Sequence, residues 1–383
     1  MNSLDRRFLS HFDWSLAAFT VIIPVFGLIV LFSAGYDAEG AVDLFGLFTV
    51  NFPSAACLKQ GTYLLVGLVV MLVGMCIPTQ TFYRYSFALY GLAFCLLVAV
   101  AGFGVVVNGS RRWLDLGGFN LQPSEFMKLG LILTMARVLS KRTPRDGVSY
   151  RLSELIVPGL FIGIPMVLIA KQPDLGTALS LGIVGVAQIL FIGIRRKTLL
   201  AIVAVVLVLA YPAWEMLHDY QQRRILVLLD PESDPKGSGY HITQSKIAVG
   251  SGELFGKGYR QGTQTQLEFL PEHTTDFVFS VLAEEWGFVG SVVLLGLFFG
   301  LFVTMLRIAA RTRDLFACLL AFGITVQIFA HVVINIGMVI GLMPVVGIPL
   351  PLISYGGSSM LSILFGLGIV QGVSMRRMQY RPS

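Results

Sequence analysis

The stretch HDYQQRRILVLLDPESDPKGSGYHITQSKIAVGSGELFGKGY (His218–Tyr259), continued by RQGTQTQLEFLPEHTTDFVFSVLAEE (Arg260–Glu285), interrupts an otherwise apolar chain. It is rich in Gly, Pro and paired charges, and it far exceeds the ~4–6 residues of a common connection. A segment of that length beside a membrane is either disordered or functional, and its composition argues against disorder. Ile225–Leu229 form an apolar run, and Ile242–Val249 reads as an amphipathic turn or two. The stretch is therefore expected to fold back onto the apolar part of the chain, and the chemistry is sought here.

The remainder is made of membrane spans. Of 383 residues, 55% are hydrophobic and only 13% charged, against ~25% charged in a soluble domain. Apolar runs of ~20 residues recur, the length that crosses a hydrocarbon core ~30 Å thick. The expected fold is an all-α polytopic membrane protein with about ten transmembrane helices in one membrane domain, 1–383. The spans fall near 14–34, 61–78, 85–107, 123–140, 154–171, 175–194, 197–217, 277–306, 314–341 and 357–375. Helices one to seven lie in 1–217, the large outward-facing loop is 218–276, and helices eight to ten lie in 277–383. The first run, near 14–34, is too long for a signal-peptide core and reads as a retained helix.

Basic residues cluster at alternate ends of these spans: Arg6/Arg7, Arg84, Lys141/Arg142/Arg145/Arg151, Arg195/Arg196/Lys197, Arg307/Arg311/Arg313 and Arg376/Arg377/Arg381. By the positive-inside rule both termini are cytoplasmic. The loop after the third span, the long central stretch and Met343–Tyr355 then face outward. Because the Lys and Arg sit in short clusters between apolar runs, the net charge of +6 does not suggest nucleic acid. Four cysteines, Cys57, Cys76, Cys95 and Cys318, show no metal-binding spacing, and there is no sustained internal repeat. MPVVGIPLPLISYGGSS (Met343–Ser359) holds three prolines before Gly356 and Gly357, so it reads as a re-entrant or surface-lying segment ahead of the last helix.

Ionisable groups inside spans are costly and mark function. In Gln122-Pro123-Ser124-Glu125, Pro123 suits a first helical turn, and Glu125 and Lys128 are three apart and able to pair; a purely structural ion pair is the alternative. Asp174 sits between two helices and could serve as no more than a cap. Asp276 follows Thr274 and Thr275, either of which could cap the eighth helix, leaving the carboxylate in the first turn as a dipole partner. Glu284 and Glu285 lie ~12 Å further along a continuous helix, where capping cannot explain them. Gln221–Arg224 places two arginines at the mouth of the seventh helix, suited to phosphate oxygens or to anchoring at the membrane edge. His273 is an acid or base by type. Acidic and basic groups thus gather at the outward ends of the fourth, sixth and eighth helices, which suits an anionic lipid-linked substrate and a proton transfer. No P-loop, dinucleotide fingerprint, Ser-His-Asp order or zinc spacing is present.

These residues fall in RRWLDLG (Arg111–Gly117), QPSE (Gln122–Glu125) with Lys128, QPDLGTA (Gln172–Ala178), LDPESDPKGSGYHITQSKIAVGSG (Leu229–Gly252), GTQTQLEFLPEHTTDFVFSVLAEEWG (Gly262–Gly287) and PLPLISYGGSS (Pro349–Ser359). In that order they resemble the SEDS family of bacterial cell-wall membrane proteins (shape, elongation, division and sporulation), and its elongation branch in particular. Two departures stand out: Glu253 replaces a usual second Gly, and the Gly35–Gln60 loop is long. The resemblance implies a multi-pass protein of the bacterial cytoplasmic (inner) membrane. It also implies a peptidoglycan glycosyltransferase that polymerises lipid II on the outer leaflet during cell elongation. Asp276 matches the family's essential aspartate, and Trp113, Glu125, Lys128, Asp174, Gln221 and Arg224 match positions lining its cavity. Asp276 is then the expected general base, taking a proton from the acceptor 4-hydroxyl. Arg224 and Lys128 hold the lipid diphosphate, with Glu125 fixing Lys128. Asp174 and Asp276 are candidate ligands for a divalent cation, Mg or Mn, and no nucleotide is involved. A class B penicillin-binding protein, a transpeptidase, is the expected partner within the elongation machinery, contacting the eighth and ninth spans and the long loop. A lipid II flippase is the alternative, kept open by Glu284 and Glu285; a non-catalytic scaffold would leave the buried carboxylates without a purpose.

Overall fold

Each of the ten apolar runs is a helix in the computed structural model. It describes residues 11–35, 42–44, 48–50, 54–107, 110–115, 117, 120–141, 150, 152–215, 219–230, 234, 237–266, 269 and 274–376. The helices are α1 (Trp14–Ala34), α2 (Ala55–Cys76), α3 (Thr79–Phe103), α4 (Pro123–Lys141), α5 (Ile156–Lys171), α6 (Leu175–Ile192) and α7 (Arg196–Glu215). After them come α8 (Asp219–Leu229), α9 (Ser238–Ser251), the short α10 (Thr263–Gln266), α11 (Val278–Arg311), α12 (Leu315–Val339) and α13 (Gly357–Arg376). A hairpin, β1 (Val42–Leu44) with β2 (Phe48–Val50), follows α1, and β3 (Val105–Val107), β4 (Ser110–Asp115) and β5 (Asn120–Leu121) form an antiparallel sheet between α3 and α4.

Eight helices among the described residues are long and apolar enough to cross a membrane, and side chains such as Leu65, Val69, Leu92 and Phe299 stay exposed on them as lipid-facing surface would. Helix α4 carries Glu125, Lys128, Arg137 and Lys141, and its polar content is tolerated because protein surrounds it: nearly every residue from Pro123 to Ala136 is buried. It packs against α3, α6 and α12, while α13 lies along α2 and α1 along α11. Helix α12 is buried along most of its length.

The structure corrects the sequence reading at three places. The second span begins at Ala55 rather than 61, capped by the Ser54 hydroxyl accepting from Cys57 N at 3.3 Å; the polar Lys59 and Gln60 mask its first turns. The segment 218–276 holds two full helices, α8 and α9, where the sequence shows only an apolar run and a turn or two. And α11 is not continuous. Gly287 breaks it with φ 63 and ψ −158, a region open essentially to glycine alone.

At that break the backbone of Gly252–Gly258 takes over the ladder. Phe288 N donates to Glu253 O (2.9 Å) and Val289 N to Leu254 O (3.0 Å), while Lys257 N and Gly258 N donate to the carbonyls of Glu284 (2.9 Å) and Glu285 (3.1 Å). Glu253 adopts φ 46 there, the left-handed conformation that a glycine would favour. A Cβ on Gly287 would lie 2.3 Å from Gly256 N and 2.7 Å from Gly252 O, whereas one on Gly296 of the same helix meets nothing within 4 Å. Gly287→Ala is therefore expected to lower the melting temperature in detergent sharply, by at least the ~1–3 kcal/mol of the backbone conformation alone. Gly296→Ala should leave it unchanged or raise it.

Candidate functional site

The site is built around backbone that is neither helix nor strand. From Met343 to Tyr355 the chain runs through the protein interior, with Ile348, Leu350, Leu352 and Ile353 buried, so it does not lie on the surface, and of the two expectations the re-entrant one fits. Its polar groups are met from several elements. Arg224 of α8 donates to Val345 O (3.1 Å), Asn335 of α12 to Ile348 O (2.8 Å), and Gln60 of α2 donates to Ser354 O (2.9 Å) while accepting from Gly356 N (3.1 Å). Helix α6 approaches so closely that a Cβ on Gly176 would lie 2.7 Å from Val346 O.

Asp276 lies against this segment. A Cβ on Gly347 would come 3.4 Å from its Oδ2, and the Asn335 amide that holds Ile348 also donates to Asp276 O at 2.8 Å. Tyr355 N donates to Thr274 O at 3.0 Å. Helix α11 begins at Val278 with Phe277 as its N-cap and no capping side chain. Asp276 thus precedes the helix in a turn and is not in its first turn under a threonine cap, because the carbonyls of that turn are drawn toward α12 and the re-entrant segment.

Below the segment is a buried charge pair. Lys128 Nζ is 2.6 Å from Glu125 Oε1, and the two side chains are 1% and 4% exposed. The pair does not stand alone: His331 Nε2 of α12 is 3.0 Å from the same ammonium, and Ser362 of α13 donates to Glu125 Oε2 at 3.0 Å. An ammonium has only donors, so His331 Nε2 serves as the acceptor and the ring proton is on Nδ1. One cluster therefore ties α4, α12 and α13 together.

Asp174 is the N-cap of α6, accepting from Thr177 N at 3.2 Å, and it also receives Gln122 Nε2 at 3.4 Å. Arg112 of β4 lies 3.9 Å away and donates to the carbonyls of Gln172 and Pro173. Trp113, next on that strand, is half-buried opposite Val105. Gln221 is buried one turn before Arg224 on α8. Among the described contacts Glu125 and Lys128 are the expected site residues that touch directly. Asp174, Arg224 and Asp276 are joined through the Met343–Tyr355 backbone, and Trp113 reaches the group only through the strand that carries Arg112. Among the described residues no three His, Cys, Asp or Glu side chains converge on a metal position, and Asp174 and Asp276 meet only through the re-entrant segment. Asp174 and Asp276 are the residues that would hold Mg or Mn, and the roles of the other side chains are derived without that ion. His273 lies outside the described residues.

Glu284 and Glu285 are paired as well. Lys257 Nζ is 2.6 Å from Glu284 Oε1, which also receives Thr263 Oγ1 and Gln264 N, each at 3.1 Å; Ser33 donates to Glu285 Oε1 at 2.6 Å. The break at Gly287 leaves about 24 residues, Phe288–Arg311, or ~36 Å of helix, enough to cross a membrane alone. Both glutamates precede that crossing, so the distance that placed them deep in the membrane does not apply. The residues that sequence reasoning misses are Gln60, Arg112, Lys257, His331, Asn335 and Ser362. A signal exists for two of them: Gln327, His331 and Asn335 recur every four residues in an apolar run, one stripe on one helix face.

Comparison with known proteins agrees with this geometry. The profile of the cell cycle protein family comprising FtsW, RodA and SpoVE matches residues 13–379. The peptidoglycan glycosyltransferase MrdB of Escherichia coli (strain K12) is 41% identical over 370 residues, covering 96% of this chain and 94% of that protein. A chain from a peptidoglycan synthase complex, solved to describe the coordination of polymerization and crosslinking, superposes with a TM-score of 0.79 at 32% identity, covering 96% of this chain and 99% of that one. The Thermus thermophilus rod shape determining protein RodA superposes with a TM-score of 0.69 at 30% identity, covering 96% and 98%.

The buried pair makes a stability prediction. Lys128→Met leaves Glu125 unpaired in the interior, a loss of ~3–5 kcal/mol, seen as a clear fall in melting temperature in detergent. Adding Glu125→Gln to Lys128→Met should recover much of that loss, because no lone charge then remains. A double variant as unstable as the single one would refute the pairing account.

Proposed function

The chain belongs to the FtsW, RodA and SpoVE family of cell cycle proteins and is a peptidoglycan glycosyltransferase, and we propose that it joins lipid II units into glycan strands with Asp276 as general base. The observation that carries the assignment is the placement of Asp276. Its carboxylate lies against the Gly347 backbone, at the bundle end where Arg224, Asp174 and the Glu125–Lys128 pair also gather. In the reaction the acceptor 4-hydroxyl attacks the donor anomeric carbon, its proton passes to the Asp276 carboxylate, and the lipid diphosphate leaves with inversion from α to β. That leaving group needs its charge met more than it needs a proton. Arg224 is half-buried and its guanidinium is a forked donor, so it is better placed for the phosphates than Lys128, which is enclosed by Glu125 and His331. Lys128 then acts from behind, fixing α4 and α12 beneath the site.

The synthase complex among the structural relatives supports a cross-linking partner, and we assign that role to a class B penicillin-binding protein of the elongation machinery. The basic residues support a cytoplasmic (inner) membrane protein with both termini cytoplasmic. In a variant lacking the four native cysteines, Asp230→Cys should react with an impermeant thiol reagent added outside intact cells, and Arg313→Cys should not. Reaction at 313 alone would invert the orientation and with it the site.

The base assignment is tested by Asp276→Asn. Asn keeps the shape but cannot accept a proton, and a positioned base contributes ~10²–10⁴-fold. The variant is expected to fold, to assemble with its partner and to bind lipid II, yet to make no detectable polymer at any divalent cation concentration. Near-normal polymer would overturn the assignment.

A further inference from the structure

Helix α12 presents Gln327, His331 and Asn335 on one buried stripe. His331 serves the Lys128 ammonium, and the third residue of the stripe has no part in the chemistry described so far. Asn335 is 0% exposed. Its Nδ2 donates to two carbonyls from separate parts of the chain, Asp276 O and Ile348 O, both at 2.8 Å. Two acceptors on one side fix the orientation of the amide, since only the NH₂ end can meet them. Its Oδ1 is buried without a partner among the described residues. The side chain therefore leaves its own acceptor unmet while joining the Asp276 turn to the re-entrant backbone at Ile348.

Gly347, which directly precedes that second carbonyl's residue, is the one that lies against the catalytic carboxylate, since a Cβ on it would be 3.4 Å from Asp276 Oδ2. The two hydrogen bonds of Asn335 thus close a small ring: Asp276 backbone, Asn335 amide, Ile348 carbonyl, Gly347, Asp276 carboxylate. We propose that Asn335 is a positioning residue for glycosyl transfer, setting where the Asp276 carboxylate stands by holding its main chain to the re-entrant segment. The proposal rests on the reading of Asp276 as the base. Few side chains could replace Asn335: Ser or Thr offers one donor, Gln reaches a methylene further, and Lys or Arg would bring an unpaired charge into the interior.

The test measures kcat and KM for lipid II polymerisation, per folded enzyme in complex with its partner, together with melting temperature. Asn335→Leu removes both donors, Asn335→Ser keeps one, and Gln327→Leu removes a buried polar group from the same stripe at a distance from Asp276. A misplacement of ~1 Å can cost ~10²-fold, so Asn335→Leu is expected to lose ~10–100-fold in kcat with KM changed less than ~3-fold. Asn335→Ser should fall between it and the native enzyme, and Gln327→Leu should keep its kcat. A normal kcat in both Asn335 variants, or a loss confined to KM, overturns the proposal. Asp276→Asn run alongside separates the two failures. If it is inactive while the Asn335 variants are normal, only the positioning role falls; if it is active, the base assignment falls and the positioning role with it.

Discussion

Irregular backbone inside a membrane protein must have its polar groups met by protein, because lipid offers no hydrogen bonds. Met343–Tyr355 is such a backbone, and each orphaned group would cost ~1–3 kcal/mol. The requirement is met by Arg224 on Val345 O, Asn335 on Ile348 O, Gln60 on Ser354 O and Gly356 N, the Ser354 hydroxyl on Leu350 N, and Thr274 O on Tyr355 N. These partners come from α8, α12, α2, the segment itself and the turn before α11. Satisfying one stretch of backbone therefore fixes the relative positions of α2, α8, α12 and the turn that carries Asp276.

The buried charges obey the same logic at higher stakes. Desolvating an ion costs several kcal/mol even after relaxation, so Glu125 and Lys128 persist only because each has further partners in Ser362 and His331. Those partners lie on α13 and α12. Four residues beyond His331, Asn335 reaches the Asp276 turn. Helix α12 thus connects the charge pair below the segment with the carboxylate beside it, and its rigidity makes their separation a property of the helix.

The helices are legible in the sequence because spans announce themselves by length and apolarity, and α4 is recovered despite its charges through Pro123 at its start. Glu125 with Lys128 and Asp174 as a cap are readable because both rest on local spacing along a helix. What stays hidden depends on contacts distant in sequence. Nothing near Gly287 signals that Gly252–Gly258 will complete the ladder at a break, so α11 reads as straight and Glu284 and Glu285 read as deep. His331 and Ser362 gain meaning only once α12 and α13 lie beside α4. The apolar runs within 218–276 are visible, but their helical extent is obscured by the prolines and glycines around them.

The distribution of buried charge bears on whether such a protein works at one face or across the bilayer. Among the described residues the buried acidic and basic side chains are Glu125, Lys128, Asp174, Glu284, Glu285 and His331. Glu125, Lys128 and Asp174 begin their helices, Glu284 and Glu285 precede the break in α11, and His331 lies about two turns from the end of α12. All belong to the Asp276 end of the bundle. Deeper buried polar side chains among the described residues are uncharged, and some tie helices together, as where Gln188 donates to the carbonyls of Ile132 and Leu319. A diphosphate crossing the bilayer would need compensating charge along its whole path, since an ion in that interior is costly wherever it is unpaired. A diphosphate that arrives, reacts and leaves at one face needs it only there. The observed placement therefore favours polymerisation at a single surface over transport, and it does so from the positions of the charges alone.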